Sequence, residues 1–428
     1  LADNRFANQA ALDVFLTNYK VPEDLFDALR VSQTIDRFSW MVDDYVTLEQ
    51  SLQGTSKNSG VEFRLSRYSD GSNEIFGYVY YIIPDSDAAK KEIKRGDVFT
   101  AVNGIPLTVS NYESLLFGSD DTFTLNMANI TNNNIIPNNK SVSLTKTVLS
   151  ENPILVNKVI STGGKKIGYL MYNGFYSDFD SQLNTAFGEF KSQGITDLVL
   201  DLRYNGGGSV RTATYLASMI TGQFTGKVFA KQQWNSKINA YYEKNDPNGL
   251  RNFFTDKIGT TPINSVNMTK VYILTTKSTA SASELIINGL KPHINVVQIG
   301  DVTTGKNVGS LTLYDSPDFS ATNRNTKHKY AMQPIVLKIV NSDGFGDYFN
   351  GLTPTHELKE TISTYGILGD VNEPLLKLAI AKITGTGKSA SQNSGKQFEY
   401  FKDSKSMNPY RNEMYLEKAP AGLQKALD

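Results

Sequence analysis

Leu198-Val199-Leu200 is a short apolar run with no polar face, and a cluster of glycines follows it within a few residues. A strand that is apolar on both sides belongs in a sheet covered on both faces, the situation of parallel strands joined by helices. The neighbouring pattern agrees. Lys166-Ile167-Gly168-Tyr169-Leu170 reads as a strand, and Phe179, Leu183, Phe187 and Phe190 then share one face of a helix that Gly194 can end. Val271-Tyr272-Ile273-Leu274, with a helix over 281–291, repeats the unit, and Val296-Val297-Gln298-Ile299 is the next strand. Residues 153–385 therefore read as an α/β domain.

At roughly 150 residues per domain, 428 residues leave space for about two further units. Residues 1–55 carry helical periodicity: Phe6, Ala10 and Val14 in one stretch, Leu25, Phe26 and Leu29 in another. Pro22-Glu23-Asp24 suits a first helical turn. Gly54 to Gly60 reads as a linker. Over 60–150 the period becomes two. Glu62-Phe63-Arg64-Leu65 and Tyr78 to Ile83 read as strands, with more between Asp121 and Lys146 around an Asn132-Asn133-Asn134 turn, which makes a small β module. Residues 386–428 read as a C-terminal tail, with Gly, Ser, Lys and Gln concentrated over 386–406. The expected fold is thus multidomain α+β. The sequence opens on Leu1 with neither an initiator Met nor a leader-like stretch, the expectation being that whatever preceded it has been removed.

Composition excludes several functions. Basic and acidic residues cancel at 43 each, so no net field draws polyanions, and nucleic-acid binding is not expected. The absence of cysteine removes thiol nucleophiles, disulfides and thiolate metal sites. With His293, His328 and His356 as the whole histidine complement, a multi-histidine metal centre is not expected either. No apolar run approaches the ~18 residues needed to span a bilayer.

Three strand-to-loop junctions could carry chemistry. Asp201-Leu202-Arg203-Tyr204-Asn205-Gly206-Gly207-Gly208 follows the apolar strand, and its glycines let backbone N–H groups approach a ligand or simply make a tight turn. In Lys277-Ser278-Thr279-Ala280-Ser281-Ala282-Ser283-Glu284, a hydroxyl stands where a helix begins. That position favours an acyl-transfer nucleophile, but Ser281-x-x-Glu284 is equally a capping box. Gly300-Asp301-Val302-Thr303-Thr304-Gly305-Lys306-Asn307 nearly matches a phosphate loop. Asn307 replaces the magnesium-binding hydroxyl and a strand follows where a helix should, which leaves a structural lysine or a catalytic amine.

A serine nucleophile needs a base. His293 lies roughly 18 Å along the helix that Ser281 starts, and neither His328 nor His356 has a triad-like context. A buried lysine can serve. Bringing its pKa from about 10.4 to 7–8 takes roughly 3–4 kcal/mol of desolvation, so its pocket should be apolar and lack a close carboxylate. Lys306 is the best-placed candidate. In the β module, Phe76-Gly77-Tyr78 reads as an apolar-Gly-apolar turn that could offer N–H groups to a peptide carboxylate, with a strand edge beside it.

In this order the segments resemble the C-terminal processing (tail-specific) serine peptidases, through D-L-R-x-N-x-G-G, T-A-S-A-S-E and T-x-G-K. Asp36-Arg37-Phe38-Ser39-Trp40 looks like the opening segment of Bacteroidetes envelope members. The resemblance implies a PDZ-like domain over 60–150 and a crotonase/ClpP-like core over 153–385. It makes Ser281 the nucleophile and Lys306 the general base, with an oxyanion hole from the Ala282 and Gly207 N–H groups. Thr303 and Glu284 become supporting residues, and Phe76, Gly77 and Tyr78 substrate-binding. It implies no metal or cofactor and a protein or peptide substrate with an apolar C-terminus. It also implies a periplasmic or cell-surface location, compatible with a membrane-anchored lipoprotein precursor. Two positions depart from the family. Ser310 stands where a lysine-orienting Gln is common, and Pro292 where another branch has Asp, so the third, orienting residue is either absent or supplied from elsewhere. The alternative is a catalytically weak or inactive peptide-binding protein on the same scaffold.

Overall fold

Asn8 caps the first helix, α1 (Gln9–Leu16), through Ala11 N–H, and Pro22 with Glu23 and Asp24 opens the second, α2 (Pro22–Leu29). These elements belong to a computed structural model that describes residues 6, 8–68, 71–131, 134–386, 398–405 and 413–427. Neither helix has a buried residue. The third, α3 (Tyr45–Leu52), is capped by Asp44 and packs Leu48 and Leu52 against Val42, Ala331 and Tyr415.

The expected linker is only partly one. Gly54 turns the chain at φ +80°, but Thr55–Asn58 then pairs antiparallel with Thr147–Ser150 and closes the base of the β module. Local polarity hid that strand because both of its partners are largely solvent-facing.

In the module, β1 (Val61–Arg67), β2 (Ile75–Ile82), β3 (Val98–Val102), β4 (Thr122–Thr131) and β5 (Asn134–Thr145) form an antiparallel meander beside the short helix α4 (Tyr112–Phe117). Of the expected Asn132–Asn134 turn, Asn132 and Asn133 lie outside the described residues.

Here one expectation is corrected. Phe76, Gly77 and Tyr78 do not form an exposed turn; they lie inside β2, which β1 and β3 flank on either side. Gly77 is glycine because a Cβ there would stand 2.0 Å from the Phe99 ring. The apolar-Gly-apolar pattern thus records aromatic packing, and these N–H groups are committed to the sheet.

The α/β unit begins with β6 (Ile154–Thr162) antiparallel to β7 (Lys165–Tyr172). From β7 the sheet is parallel through β8 (Asp197–Asp201), then Lys270–Thr275, Asn295–Gly300 and His356–Glu357. The helix α5 (Asp180–Gln193) ends at Gly194 in the left-handed region, as its sequence implied. With α6 (Val210–Thr221) it covers one face, while Leu375, Leu376 and Ala379 of the helix Pro374–Thr384 cover the other against Tyr169, Val199 and Leu274. Both faces of Leu198–Leu200 are therefore apolar because both are covered.

A second six-stranded sheet contains β9 (Gly208–Ser209), Val228–Gln233, Val308–Leu311 and Ile335–Asn341. At its heart, between β9 and Val308–Leu311, runs the strand Met414–Leu416. The C-terminal region is therefore not a passive tail. Glu399–Asp403 likewise forms a strand on the outer edge of β1. Residues 387–397 and 406–412 lie outside the described residues.

Candidate active site

The strand Lys270–Thr275 delivers the chain into a tight turn. Thr279 Oγ1 receives Thr276 N–H and donates to the Leu202 carbonyl, and Ala280 N–H bonds the Asn205 carbonyl. The next residue, Ser281, sits at φ +65°, ψ −118°, a conformation that costs a non-glycine residue about 1–3 kcal/mol. A helix follows at once over Ala282–Leu290, buried along its whole length. The strain places the Ser281 hydroxyl at the start of that helix, fully buried and without a hydrogen-bond partner among the described residues.

The glycine turn packs on this hydroxyl. A Cβ on Gly207 would stand 2.5 Å from Ser281 Cβ, 2.9 Å from its Oγ and 3.0 Å from Ala282 N, so only glycine leaves that space open. Ala282 N–H, in the first helical turn, has no intrahelical acceptor. The expectation for Gly207 is corrected: its N–H donates to Asn205 Oδ1 at 2.9 Å, so its contribution is the missing side chain. Asn205 holds the whole turn, its Nδ2 bonding the Tyr172 carbonyl.

Glu284 joins the two halves of the site. Its Oε2 accepts Ser281 N–H and Lys306 N–H, each at 2.8 Å, so those two backbone nitrogens flank a single oxygen. Its Oε1 takes Gly305 N–H at 2.7 Å and the Thr303 hydroxyl at 2.5 Å. Hydrogen bonds to a carboxylate contribute about 1.5–3 kcal/mol each, enough to offset the Ser281 strain. Burial pushes the Glu284 carboxyl up from its ordinary value, against these four donors. The capping-box pattern is present, but Glu284 uses it to tie the serine turn to the lysine loop.

Lys306 is fully buried, with Nζ 4.5 Å from the centre of the Phe38 ring. Burial pushes its ammonium pKa down, opposed by Glu413, Asp36 and Glu284. The expected absence of a close carboxylate fails here: Glu413 Oε1 is 3.1 Å from Nζ. Trp40 Nε1 donates to the same oxygen at 3.0 Å, and Ser310 Oγ to Glu413 Oε2 at 2.9 Å.

The backbones of Ser281, Gly305 and Lys306 and the Thr303 side chain thus converge on Glu284, with Ala282 and Gly207 beside Ser281. Ser281 Oγ is not hydrogen-bonded to Lys306 Nζ, which faces Glu413. Phe76 and Tyr78 instead pack in an aromatic cluster with Tyr68, Tyr365 and Phe398. Of the histidines, His293 packs between Phe224 and Phe254, and His328 pairs with Asp315 on the surface. The sequence reading missed Glu413, and it quoted Phe38 and Trp40 without giving them a role. A carboxylate just before the apolar run Met414-Tyr415-Leu416 was the available signal. A cavity of about 1420 Å³ adjoins the lysine's cover, with Asp36, Ser39 and apolar side chains including Phe26, Leu311 and Leu416 in its wall.

Residues 166–333, which hold the glycine turn, Ser281 and Lys306, match the family model described as peptidase family S41. Carboxyl-terminal-processing peptidase 1, chloroplastic, of Arabidopsis thaliana is 27% identical over 316 residues, 72% of this chain and 59% of the relative. The carboxyl-terminal-processing protease of Picosynechococcus is 22% identical over 280 residues, 64% of this chain and 60% of the relative. Over residues 166–333 the chain is thus similar to peptidase family S41. It spans about three fifths of the length of these two relatives. A solved structure from Bacteroides fragilis, assigned to S41, aligns with TM-score 0.68 at 25% identity over 87% of this chain and 92% of that one.

Proposed function

We propose that this chain is a serine endopeptidase of the C-terminal-processing type, acting outside the cytoplasm on proteins with apolar C-termini through Ser281 and Lys306. The observation that carries this reading is the Glu284 carboxylate, which holds the strained serine turn and the buried lysine loop on one oxygen. In the proposed step, neutral Lys306 takes the hydroxyl proton while Ser281 Oγ attacks the scissile carbonyl carbon. Ala282 N–H faces the developing oxyanion, and Lys306 returns the proton to the leaving amine. Water then hydrolyses the acyl-serine. No helix among the described residues is long and apolar enough to cross a membrane.

Substrate recognition falls to the PDZ-like module, at a place other than Phe76–Tyr78. The outer edge of β1 already carries Glu399–Asp403 as an added strand, with the Phe401 ring 5.2 Å from that of Tyr112 on α4. Ser404 N–H continues the pairing to the Phe63 carbonyl at 2.9 Å. This is how a peptide adds to a sheet edge, main chain for affinity and a side-chain pocket for choice. Asp403 also accepts from Ser278, inside the serine turn, at 2.9 Å. A substrate strand would replace the chain's own. Phe401→Ala should then tighten capture of a peptide with an apolar C-terminus by about tenfold, since the competent state becomes more populated. Unchanged affinity by fluorescence anisotropy would remove the competition.

The deciding experiment compares wild type with Ser281→Ala on unfolded proteins ending in apolar residues, with fragments identified by mass spectrometry. Cleavage should vanish in the variant while binding persists. If neither protein cuts but both bind, the scaffold-binder reading, which the carboxylate beside Lys306 favours, takes its place.

A further inference from the structure

A general base flanked by a carboxylate is an odd arrangement, because the carboxylate favours the protonated lysine, which cannot accept a proton. The contacts show how much of the structure is devoted to it. Glu413 is 3% exposed and its two oxygens are divided: Oε1 meets Lys306 Nζ at 3.1 Å and Trp40 Nε1 at 3.0 Å, Oε2 meets Ser310 Oγ at 2.9 Å. Gln333 Nε2 in turn donates to Ser310 Oγ at 2.9 Å. Ser310 occupies the position where the sequence lacked an orienting Gln. A serine there is too short to reach the lysine, but it anchors a glutamate that does.

Resting on the Ser281–Lys306 reading, we propose that Glu413 is the positioning residue of Lys306, supplied by the C-terminal segment, and that its charge sets the pH at which the lysine becomes a base. Met414–Leu416, buried between β9 and Val308–Leu311, fixes where Glu413 stands. The other charged groups around the lysine come from the N-terminal segment and the serine helix. Asp36 lies in the N-terminal segment, and Glu284 on the serine helix has its oxygens spent on four donors. Arg37 donates to the Gly305 carbonyl and lies over Phe38 and Phe349. Glu413 ion-pairs with Nζ at 3.1 Å.

The sign is determined. Activity needs neutral Lys306, so it rises with pH through the lysine's pKa. Removing a neighbouring anion destabilises the ammonium and moves that rise to lower pH. The test uses the full chain and follows phosphonylation of Ser281 by a fluorophosphonate probe from about pH 5 to 10, read by intact mass, with Ser281→Ala as the blank. Glu413→Gln keeps the size and the acceptor oxygen. It should lower the midpoint by at least about one unit, making labelling about tenfold faster below the wild-type midpoint. Glu413→Asp keeps the charge but withdraws it, so the midpoint should move less while the plateau rate falls. A purely structural glutamate would change the folded fraction, checked by thermal unfolding, and leave the midpoint in place; that result overturns the inference alone. Wild type that never labels above the Ser281→Ala blank overturns the dyad and this inference with it.

Discussion

Lys306→Met should abolish turnover, by about 10⁴-fold or more, while leaving peptide capture by the β module intact. Methionine fills the lysine's volume against Phe38 but can neither take a proton nor give one back. The substitution also strands Glu413, buried beside it, and an uncompensated buried charge costs about 3–5 kcal/mol. A fall in stability is therefore expected and must be separated from the chemistry. Lys306→Met/Glu413→Gln removes both charges, so it should regain most of the lost stability and none of the activity. Residual cleavage within tenfold of wild type, by a folded single variant, would remove the lysine mechanism.

The parts of the site legible in the sequence are those whose reason is local. Ser281 and Glu284 share a turn, Thr303 and Lys306 share a loop, and each junction follows an apolar strand that periodicity reveals. The β–α alternation from Pro153 was legible for the same reason, since each strand and helix carries its own pattern. What failed was set by distant partners. Gly77 is glycine because of the Phe99 ring, which no inspection of residues 75–78 discloses. Gly207 was correctly put beside Ser281, but the direction of its N–H depends on the Asn205 side chain. Glu413 reaches Lys306 only because Met414–Leu416 threads between Gly208–Ser209 and Val308–Leu311, strands that lie about two hundred and one hundred residues earlier. A polar, Gly- and Ser-rich approach to that strand concealed it.

Arg203 shows the same limit in a stability context. The D-L-R motif could be taken for part of the chemistry, yet Arg203 is fully buried between three carboxylates. Its Nε bonds Asp201 at 2.9 Å, and its terminal nitrogens bond Glu373 at 2.7 and 2.9 Å and Glu360 at 3.0 Å. Glu360 also pairs with Arg95 at 2.7 Å and faces Arg64 at 3.7 Å, both from the β module. One cluster therefore fastens the module to the core beneath the glycine turn. Burial raises the Glu360 pKa, but Arg95, Arg203 and Arg64 outweigh it and hold it at about 2. A folded-state value below the ordinary ~4.3 means this contribution is complete above that pH and lost as pH falls toward 2. Arg203→Met should cost about 3–5 kcal/mol, because it leaves Asp201 and Glu373 buried without their cation. It should also move acid unfolding to higher pH, since Glu360 keeps only the module's two arginines. Thermal unfolding followed from pH 2 to 7 checks both effects. A midpoint within about 2 °C of wild type, with the acid limb in place, would mean that water relaxes the cluster and that the module is held by its other contacts.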